Sequence, residues 1–139
     1  PHGHWCTTTM ISSIRVNGET ACMAIDSATS ADVFRCYVEH VLVPTLRPGD
    51  IVVLDNLSAH KDKAAIEMIE QIGAEVRFLP PYSPDLNPIE KMWSKVKQLL
   101  RGIKARGLED LLDAIGKALS CITETDALHW FVSCGYSLN

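Results

Sequence analysis

The chain has 139 residues, of which 47% are apolar and 22% charged, so its size and composition suit one folded domain rather than a disordered segment. Its 13 basic and 17 acidic side chains give a net charge of −4, the wrong sign for binding nucleic acid through overall charge. No apolar run reaches the roughly 18 residues of a membrane span, and no secretory signal opens the chain. We therefore expect a single domain over residues 1–139, without membrane contact.

Five cysteines are spread along the chain, an odd number without any Cys-x-x-Cys spacing. This pattern indicates reduced thiols that mostly fill the core, and it argues against a zinc site, which needs paired ligands. The residues are Cys6, Cys22, Cys36, Cys121 and Cys134.

The first predicted unit is a β-hairpin. Residues Thr7–Val16 and Glu19–Ile25 are rich in strand-forming side chains, and Asn17-Gly18 lies between them. Because both residues tolerate positive φ, this dipeptide predicts a two-residue type I′ turn.

The middle of the chain alternates helices and strands. Ser30 is a plausible N-cap for a helix that ends near Pro44. The β-branched run Ile51–Leu54 predicts a strand buried on both faces of a parallel sheet. A second helix is expected over Asp62–Ile72, and a further strand over Glu75–Leu79.

The last third of the chain is helical. Asn87 at N-cap, Pro88 at N1 and Glu90 at N3 mark a clear helix start. Two further amphipathic helices follow, with apolar stripes at Leu108, Leu111, Leu112, Ile115 and Leu119, and then at Leu128, Phe131 and Val132. The order β-β-α-β-α-β-α, with extra C-terminal helices, predicts an α/β fold whose partly parallel, mixed sheet is flanked by helices.

Two carboxylates are predicted near the carboxyl ends of strands, where α/β folds usually have their functional sites. Asp55 ends the most apolar strand, and Glu90 lies in the first turn of the helix that follows the next strand, 34 residues intervening. Carboxylates are the hard oxygen ligands that Mg²⁺ prefers. Each also has a structural alternative: Asp55, with Asn56, suits an Asx turn, and Glu90 suits a capping box with Asn87.

His60 has two interpretations of its own. It suits a metal ligand or a base near Asp55, but a surface histidine at a helix start is the commoner case.

Two stretches resemble the catalytic blocks of mariner-superfamily transposases. Residues 53–61 (Val-Leu-Asp-Asn-Leu-Ser-Ala-His-Lys) resemble the second block. Residues 79–90 (Leu-Pro-Pro-Tyr-Ser-Pro-Asp-Leu-Asn-Pro-Ile-Glu) resemble the third, continued by residues 92–97. The spacing of Asp55 and Glu90 also matches, and the bacterial insertion-sequence branch is the most similar. The opening residues 1–9 add to a likeness that covers nearly the whole chain.

The resemblance implies a ribonuclease H-like catalytic domain that cuts DNA at transposon ends and joins those ends to target DNA. It implies two Mg²⁺ or Mn²⁺ ions held by three carboxylates, of which Asp55 matches the second and Glu90 the third. It suggests a homodimer in the bacterial cytoplasm, associated with the nucleoid. Asn56, His60 and Asn87 fall in the matching motifs as supporting residues.

The first catalytic Asp of the family has no counterpart here. It lies on the family's first strand, whereas the first Asp of this chain is Asp26, on the wrong strand. We therefore expect a catalytic core whose first strand, N-terminal part and helix-turn-helix region are absent. The missing strand would leave backbone groups unpaired as an edge for self-association.

A basic face on the Glu90 helix is the local candidate for DNA contact. Lys97 and Arg101 share that face with Glu90, and Lys61 and Lys95 extend the set. The alternative is that these side chains only solvate a helix.

Three functions remain open at this point. The first is a metal-dependent transposase core, and the second is an inactive remnant that lacks the first Asp. The third, a domain that binds a small anion, is disfavoured because no glycine-rich phosphate loop follows any strand.

Overall fold

The computed structural model describes residues 8–104 and 106–137. Within these ranges lie four β-strands and five α-helices, so the predicted mixed α/β class and element order are confirmed. Residues 1–7, which include Cys6 and the opening of the predicted first strand, lie outside the described ranges. The elements are β1 (Thr8–Ile14), β2 (Thr20–Asp26), α1 (Ala31–Tyr37), β3 (Ile51–Leu54), α2 (Lys63–Gln71), β4 (Glu75–Phe78), α3 (Pro88–Leu100), α4 (Leu108–Ser120) and α5 (Glu124–Ser133).

The chain divides into two compact units, each with its own apolar core. The first unit contains the chain up to Ser12 and residues 21–83, and the second contains residues 13–20 and the chain from Pro84 onward. The buried side chains of the first core are Phe34, Tyr37, Val38, Leu42, Ala65, Ile69 and Ala74. Those of the second are Met92, Val96, Ala118 and Ile122.

The hairpin turn between β1 and β2 differs from the prediction. Arg15 and Glu19 close a three-residue loop, since the Arg15 N–H donates to the Glu19 carbonyl at 2.9 Å and the Gly18 N–H donates to the Arg15 carbonyl at 2.9 Å. Gly18 has φ +93°, whereas Asn17 does not have positive φ. The predicted type I′ turn is therefore wrong. The pattern is that of a type I turn followed by a left-handed glycine, and the Asn17 side chain accepts from the Glu19 N–H instead.

The strands form two separate two-stranded sheets in the described residues, β1 with β2 and β3 with β4. The predicted parallel pairing is confirmed, because β3 and β4 run parallel with Leu54 opposite Phe78. The prediction that β3 is buried on both faces is wrong. Ile51 and Val53 are exposed, and only the alternate residues Val52 and Leu54 pack on the first core.

The helix that follows the hairpin begins as predicted. The Ser30 hydroxyl accepts the Val33 N–H at 3.2 Å, and Ser30 is the N-cap of α1. The backbone then widens to a π-helical segment over Val38–Leu42 and tightens to a 3₁₀ turn over Val43–Thr45. The segment as a whole ends at the predicted place, beside Pro44.

The predicted apolar face is confirmed for α4 and is wrong for α5. In α4, Ile115 of the predicted stripe is buried and Leu119 packs against the second core, as does the buried Ala118, while Leu112 is exposed. In α5 the buried residue is Ala127, and Leu128 and Val132 of the predicted stripe are exposed.

The four cysteines in the described ranges are free thiols, but they are not mainly core residues. Cys134 is buried, whereas Cys36 and Cys121 are exposed. None of the helices described here combines the length and the hydropathy that a membrane span requires.

Candidate functional site

Asp55 follows β3 directly, at the carboxyl end of the strand. Its Oδ1 atom accepts the Leu57 N–H at 3.0 Å, which is the predicted Asx turn. The side chain is 35% exposed. Within the described residues no group donates to Oδ2. The turn thus fixes one oxygen and leaves the other accessible.

His60 lies beside this carboxylate, on the 3₁₀ turn Ser58–Lys61. Its Nδ1 atom is 2.5 Å from Asp55 Oδ1, with 17% of the side chain exposed. The contact has the distance of an ion pair but not the angle of a hydrogen bond, so Nδ1 is buried without a hydrogen-bond partner among the described residues. The ring packs against Phe34 with centroids 4.6 Å apart. The surface-histidine alternative is therefore wrong.

The segment that carries His60 is anchored at its end by Asp62. Asp62 caps α2, because its Oδ2 accepts the Ala65 N–H at 3.1 Å. The Arg35 guanidinium binds both carboxylate oxygens, with Nε–Oδ2 at 2.9 Å and Nη2–Oδ1 at 2.7 Å. The hydrogen bonds from Arg35 lower the pKa of Asp62 to about 2. This pair joins α1 to α2 and holds the start of α2 in place.

Glu90 lies in the first turn of α3, in the second unit. Asn87 is the N-cap as predicted, and its side chain accepts the Ile89 N–H at 3.3 Å. The Asn87 N–H bonds to the Pro84 carbonyl at 3.1 Å, so the predicted alternative of a capping box with Glu90 is wrong. Glu90 is exposed, and no side chain or backbone group in the described residues binds its carboxylate.

The predicted basic residues are not equivalent. Lys97 and Arg101 are exposed and make no ion pair within the described residues. Lys61 is exposed in the first unit, with Nζ 6.0 Å from the centroid of the Phe78 ring. Lys95 instead binds Asp126 of α5 at 2.5 Å and the Cys121 carbonyl at 3.3 Å. Its hydrogen bond lowers the pKa of Asp126, and its charge is already compensated within the protein.

In the ranges described, no three His, Cys, Asp or Glu side chains come together as a metal site. Among the described residues, no group binds Asp55 Oδ2 or the Glu90 carboxylate. Such hard donors suit Mg²⁺ and Mn²⁺, so the two residues fit a divalent cation in chemistry.

These features define an α/β protein with an oriented carboxylate after a parallel strand and a second one at a helix start. Residues 1–112 match the DDE superfamily endonuclease family, and the chain belongs to that family. The family is one of endonucleases, and its members typically use a divalent metal ion.

A curated relative extends this finding. The chain is 28% identical over 95 residues to the "Transposable element Tcb2 transposase" of Caenorhabditis briggsae. The aligned stretch covers 66% of this chain and 35% of that protein. The similarity to a Tc1/mariner-type transposase is thus distant and involves about a third of the relative.

Two features of this region have no counterpart among the predicted residues. One is Phe34, whose ring packs against His60. The other is Tyr82, which has φ +57° in the loop between β4 and α3. The Pro-Pro pair before Tyr82 favours a turn, but no local signal predicts a bulky residue in the left-handed region.

Proposed function

We propose that this chain is the main part of the catalytic domain of a mariner-superfamily transposase, of the bacterial insertion-sequence branch. Both units would belong to one domain with a ribonuclease H-like sheet, over residues 1–139. The observation that carries the proposal is the family match over residues 1–112, joined to an Asp55 carboxylate with one oxygen held and the other open. The β-β-α-β-α-β-α order also agrees with it.

In this proposal Asp55 and Glu90 are the second and third metal-binding carboxylates, for two Mg²⁺ or Mn²⁺ ions. When bound, the cations polarise the phosphate and stabilise the attacking and leaving oxygens of an in-line displacement. The Leu57 N–H holds Asp55 Oδ1 so that Oδ2 stays free for binding. The His60 ring lies beside that carboxylate. Asn56 lies between Asp55 and His60 in sequence, within the turn.

The proposed reaction has two steps on DNA. Water attacks a phosphodiester at the transposon end, which breaks the P–O3′ bond and frees a 3′-OH. That 3′-OH then attacks a phosphodiester of the target, forming one P–O bond and breaking another. The role of Glu90 is one of position, because Asn87 and Pro88 fix the first turn of α3 and thereby the Glu90 backbone.

DNA would contact the basic residues that have no ion-pair partner in the part of the chain that the structure describes. Lys97 lies on α3 seven residues after Glu90, Arg101 is the C-cap of that helix, and Lys61 lies next to the Asp55 turn in sequence. Lys95 contributes least, because Asp126 already binds it. The proposed partners are transposon ends and target DNA, with a homodimer as the assembly and no small-molecule cofactor.

The exposed Lys97 and Arg101 also suit a second candidate, an inactive domain that binds DNA without cutting it. Such a protein would keep these basic residues and lack the metal-dependent chemistry.

The test combines Mn²⁺ binding with DNA nicking. Electron paramagnetic resonance would measure Mn²⁺ binding to the wild type, to Asp55→Asn and to Glu90→Gln. Asp85→Asn is the matched control, because Asp85 is another carboxylate in the segment between β4 and α3. We expect weak binding that both site variants abolish and the control retains, and nicking of supercoiled plasmid in Mn²⁺ that depends on the same two residues. Mn²⁺ binding that neither variant changes would refute the assignment. DNA binding without nicking would support the inactive domain.

A further inference from the structure

The loop between β4 and α3 holds one residue at a backbone position that does not suit it. In the turn Pro80-Pro81-Tyr82-Ser83, proline occupies the first central position and Tyr82, at φ +57°, the second. This is the pattern of a type II turn, which favours Gly or Asn at that position. Tyr82 is the only non-glycine residue with positive φ in the ranges that the structure describes. The backbone conformation at this position would therefore be more stable with Gly or Asn than with tyrosine.

The Tyr82 side chain does not stabilise the fold either. Its relative accessibility is 102%, so no described part of the chain covers the ring. The other two tyrosines are anchored: the Tyr37 hydroxyl donates to the Ala21 carbonyl at 2.7 Å, and the Tyr136 hydroxyl donates to the Leu86 carbonyl at 2.9 Å. A residue whose conformation is unfavourable and whose side chain contacts no described part of the protein is a candidate for contact with a ligand.

The neighbourhood of the loop indicates the chemistry of that ligand. The loop leaves β4 after Phe78, whose ring is 39% exposed and lies near the Lys61 ammonium. Phe78 is opposite Leu54, the residue before Asp55. Exposed aromatic rings beside a cation are the typical surface for unpaired nucleobases, because every base offers a face for stacking while lysine binds the phosphates.

We propose that Tyr82 stacks on an unpaired base of bound DNA, and so is a binding residue of the first unit. The inference rests on the proposed function and adds to it a single-stranded contact next to the Asp55 end of the sheet. The prolines keep the loop stiff, so the ring is presented with little loss of freedom on binding. The hydroxyl has no part in this contact.

The experiment measures binding of the 139-residue chain to a single-stranded oligonucleotide that contains 2-aminopurine. Anisotropy gives the affinity, and quenching of 2-aminopurine fluorescence reports stacking. Tyr82→Leu should weaken binding about tenfold or more and remove the quenching, whereas Tyr82→Phe should retain both. Tyr82→Gly should lose binding like the leucine variant while its thermal stability is equal to or above that of the wild type, since the unfavourable φ is relieved.

The outcomes separate this inference from the proposed function. If the wild type binds the oligonucleotide and Tyr82→Leu and Tyr82→Gly bind it equally well, the stacking role is wrong and DNA binding stands. If the wild type binds neither single-stranded nor duplex DNA, both the stacking role and the proposed function are wrong. A loss of binding in Tyr82→Phe would likewise overturn the stacking role, because it would assign the contact to the hydroxyl.

Discussion

The two candidate carboxylates are oriented by different means. In the first unit Asp55 is held by side-chain and backbone contacts of its own, with the Leu57 N–H and His60 against one oxygen and Phe34 behind the histidine. In the second unit the Glu90 carboxylate contacts no described group, and its place depends on how α3 begins. The first arrangement is sensitive to core packing, and the second is sensitive to the helix cap.

The largest expected effect comes from removing the support behind His60. Phe34→Ala should lower the free energy of unfolding by about 3–5 kcal/mol, because Phe34 is among the most buried side chains of the first core. It should also change the NMR signals of the His60 ring. Urea unfolding followed by circular dichroism gives the stability.

Met92→Ala is the matched change in the second core, where Met92 is fully buried. It should cost about 2–5 kcal/mol and leave the His60 signals where they are. Equal changes of the His60 signals in both variants would break the comparison, since the Asp55 arrangement would then not depend on the first core alone.

The cap of α3 is the next target. Asn87→Ala should cost about 0.5–2 kcal/mol and increase hydrogen exchange of the amides in the first turn of α3, while Asn87→Ser should restore both. Ser30→Ala, the matched cap change in the first unit, should cost a similar amount without affecting those amides. Unchanged exchange in Asn87→Ala would show that Glu90 is positioned by something other than the cap.

Acid titration tests the Arg35–Asp62 pair. The pKa of Asp62 is lowered from its ordinary value of 3.8 to about 2 by Arg35. Folding therefore favours the ionised form, so the pair stabilises the protein above about pH 4, and this contribution is lost as the pH falls towards 2. Arg35→Met should flatten that part of the stability curve, measured by unfolding at each pH.

Arg47→Met provides the control, because Arg47 is an exposed arginine of the same unit. It should leave the loss of stability at acidic pH unchanged. If the curve is flattened in this control as well, the effect belongs to net charge rather than to the Arg35–Asp62 pair.

The smallest effect is expected at the Lys95–Asp126 bridge. Lys95→Met should cost at most about 1 kcal/mol, because the pair is partly exposed, and should leave DNA binding nearly unchanged. Lys97→Met should change stability by less than about 0.5 kcal/mol but weaken DNA binding and reduce its salt dependence. The reverse order of DNA affinities in an anisotropy titration would contradict the division of the basic residues.

The sequence predicts the helix caps and the Asx turn correctly, because these depend on contacts between residues close together in sequence. Ser30 and Asn87 cap their helices as predicted because a cap needs only the next two or three residues. The Asx turn at Asp55 follows from the same kind of contact. The hairpin shows the limit, since Asn-Gly tolerates a two-residue turn but the bonds of Arg15 and Glu19 close a three-residue one.

Tertiary packing determines which apolar side chains are buried, and the sequence pattern did not predict this everywhere. Ile51 and Val53 are exposed because side chains alternate between the two faces of β3, and in the described residues only Val52 and Leu54 pack on a core. An apolar run cannot specify whether both faces of its strand are covered. In α5 the small Ala127 is buried while Leu128 and Val132 are exposed, the opposite of what hydrophobicity alone favours. The sequence leaves two interpretations of His60 open for the same reason, because Phe34, which packs against it, lies far from it in sequence.

The second unit is not continuous along the chain. Residues 13–20 belong to it, Ile14 packs against its core, and a side chain at Gly18 would lie 3.1 Å from the Thr123 carbonyl oxygen. These early residues leave the ribosome before α3, α4 and α5 are made. The apolar side chains at the tip of the hairpin therefore remain exposed until the C-terminal helices have been synthesised. The second core can form only after synthesis of the described chain is nearly complete.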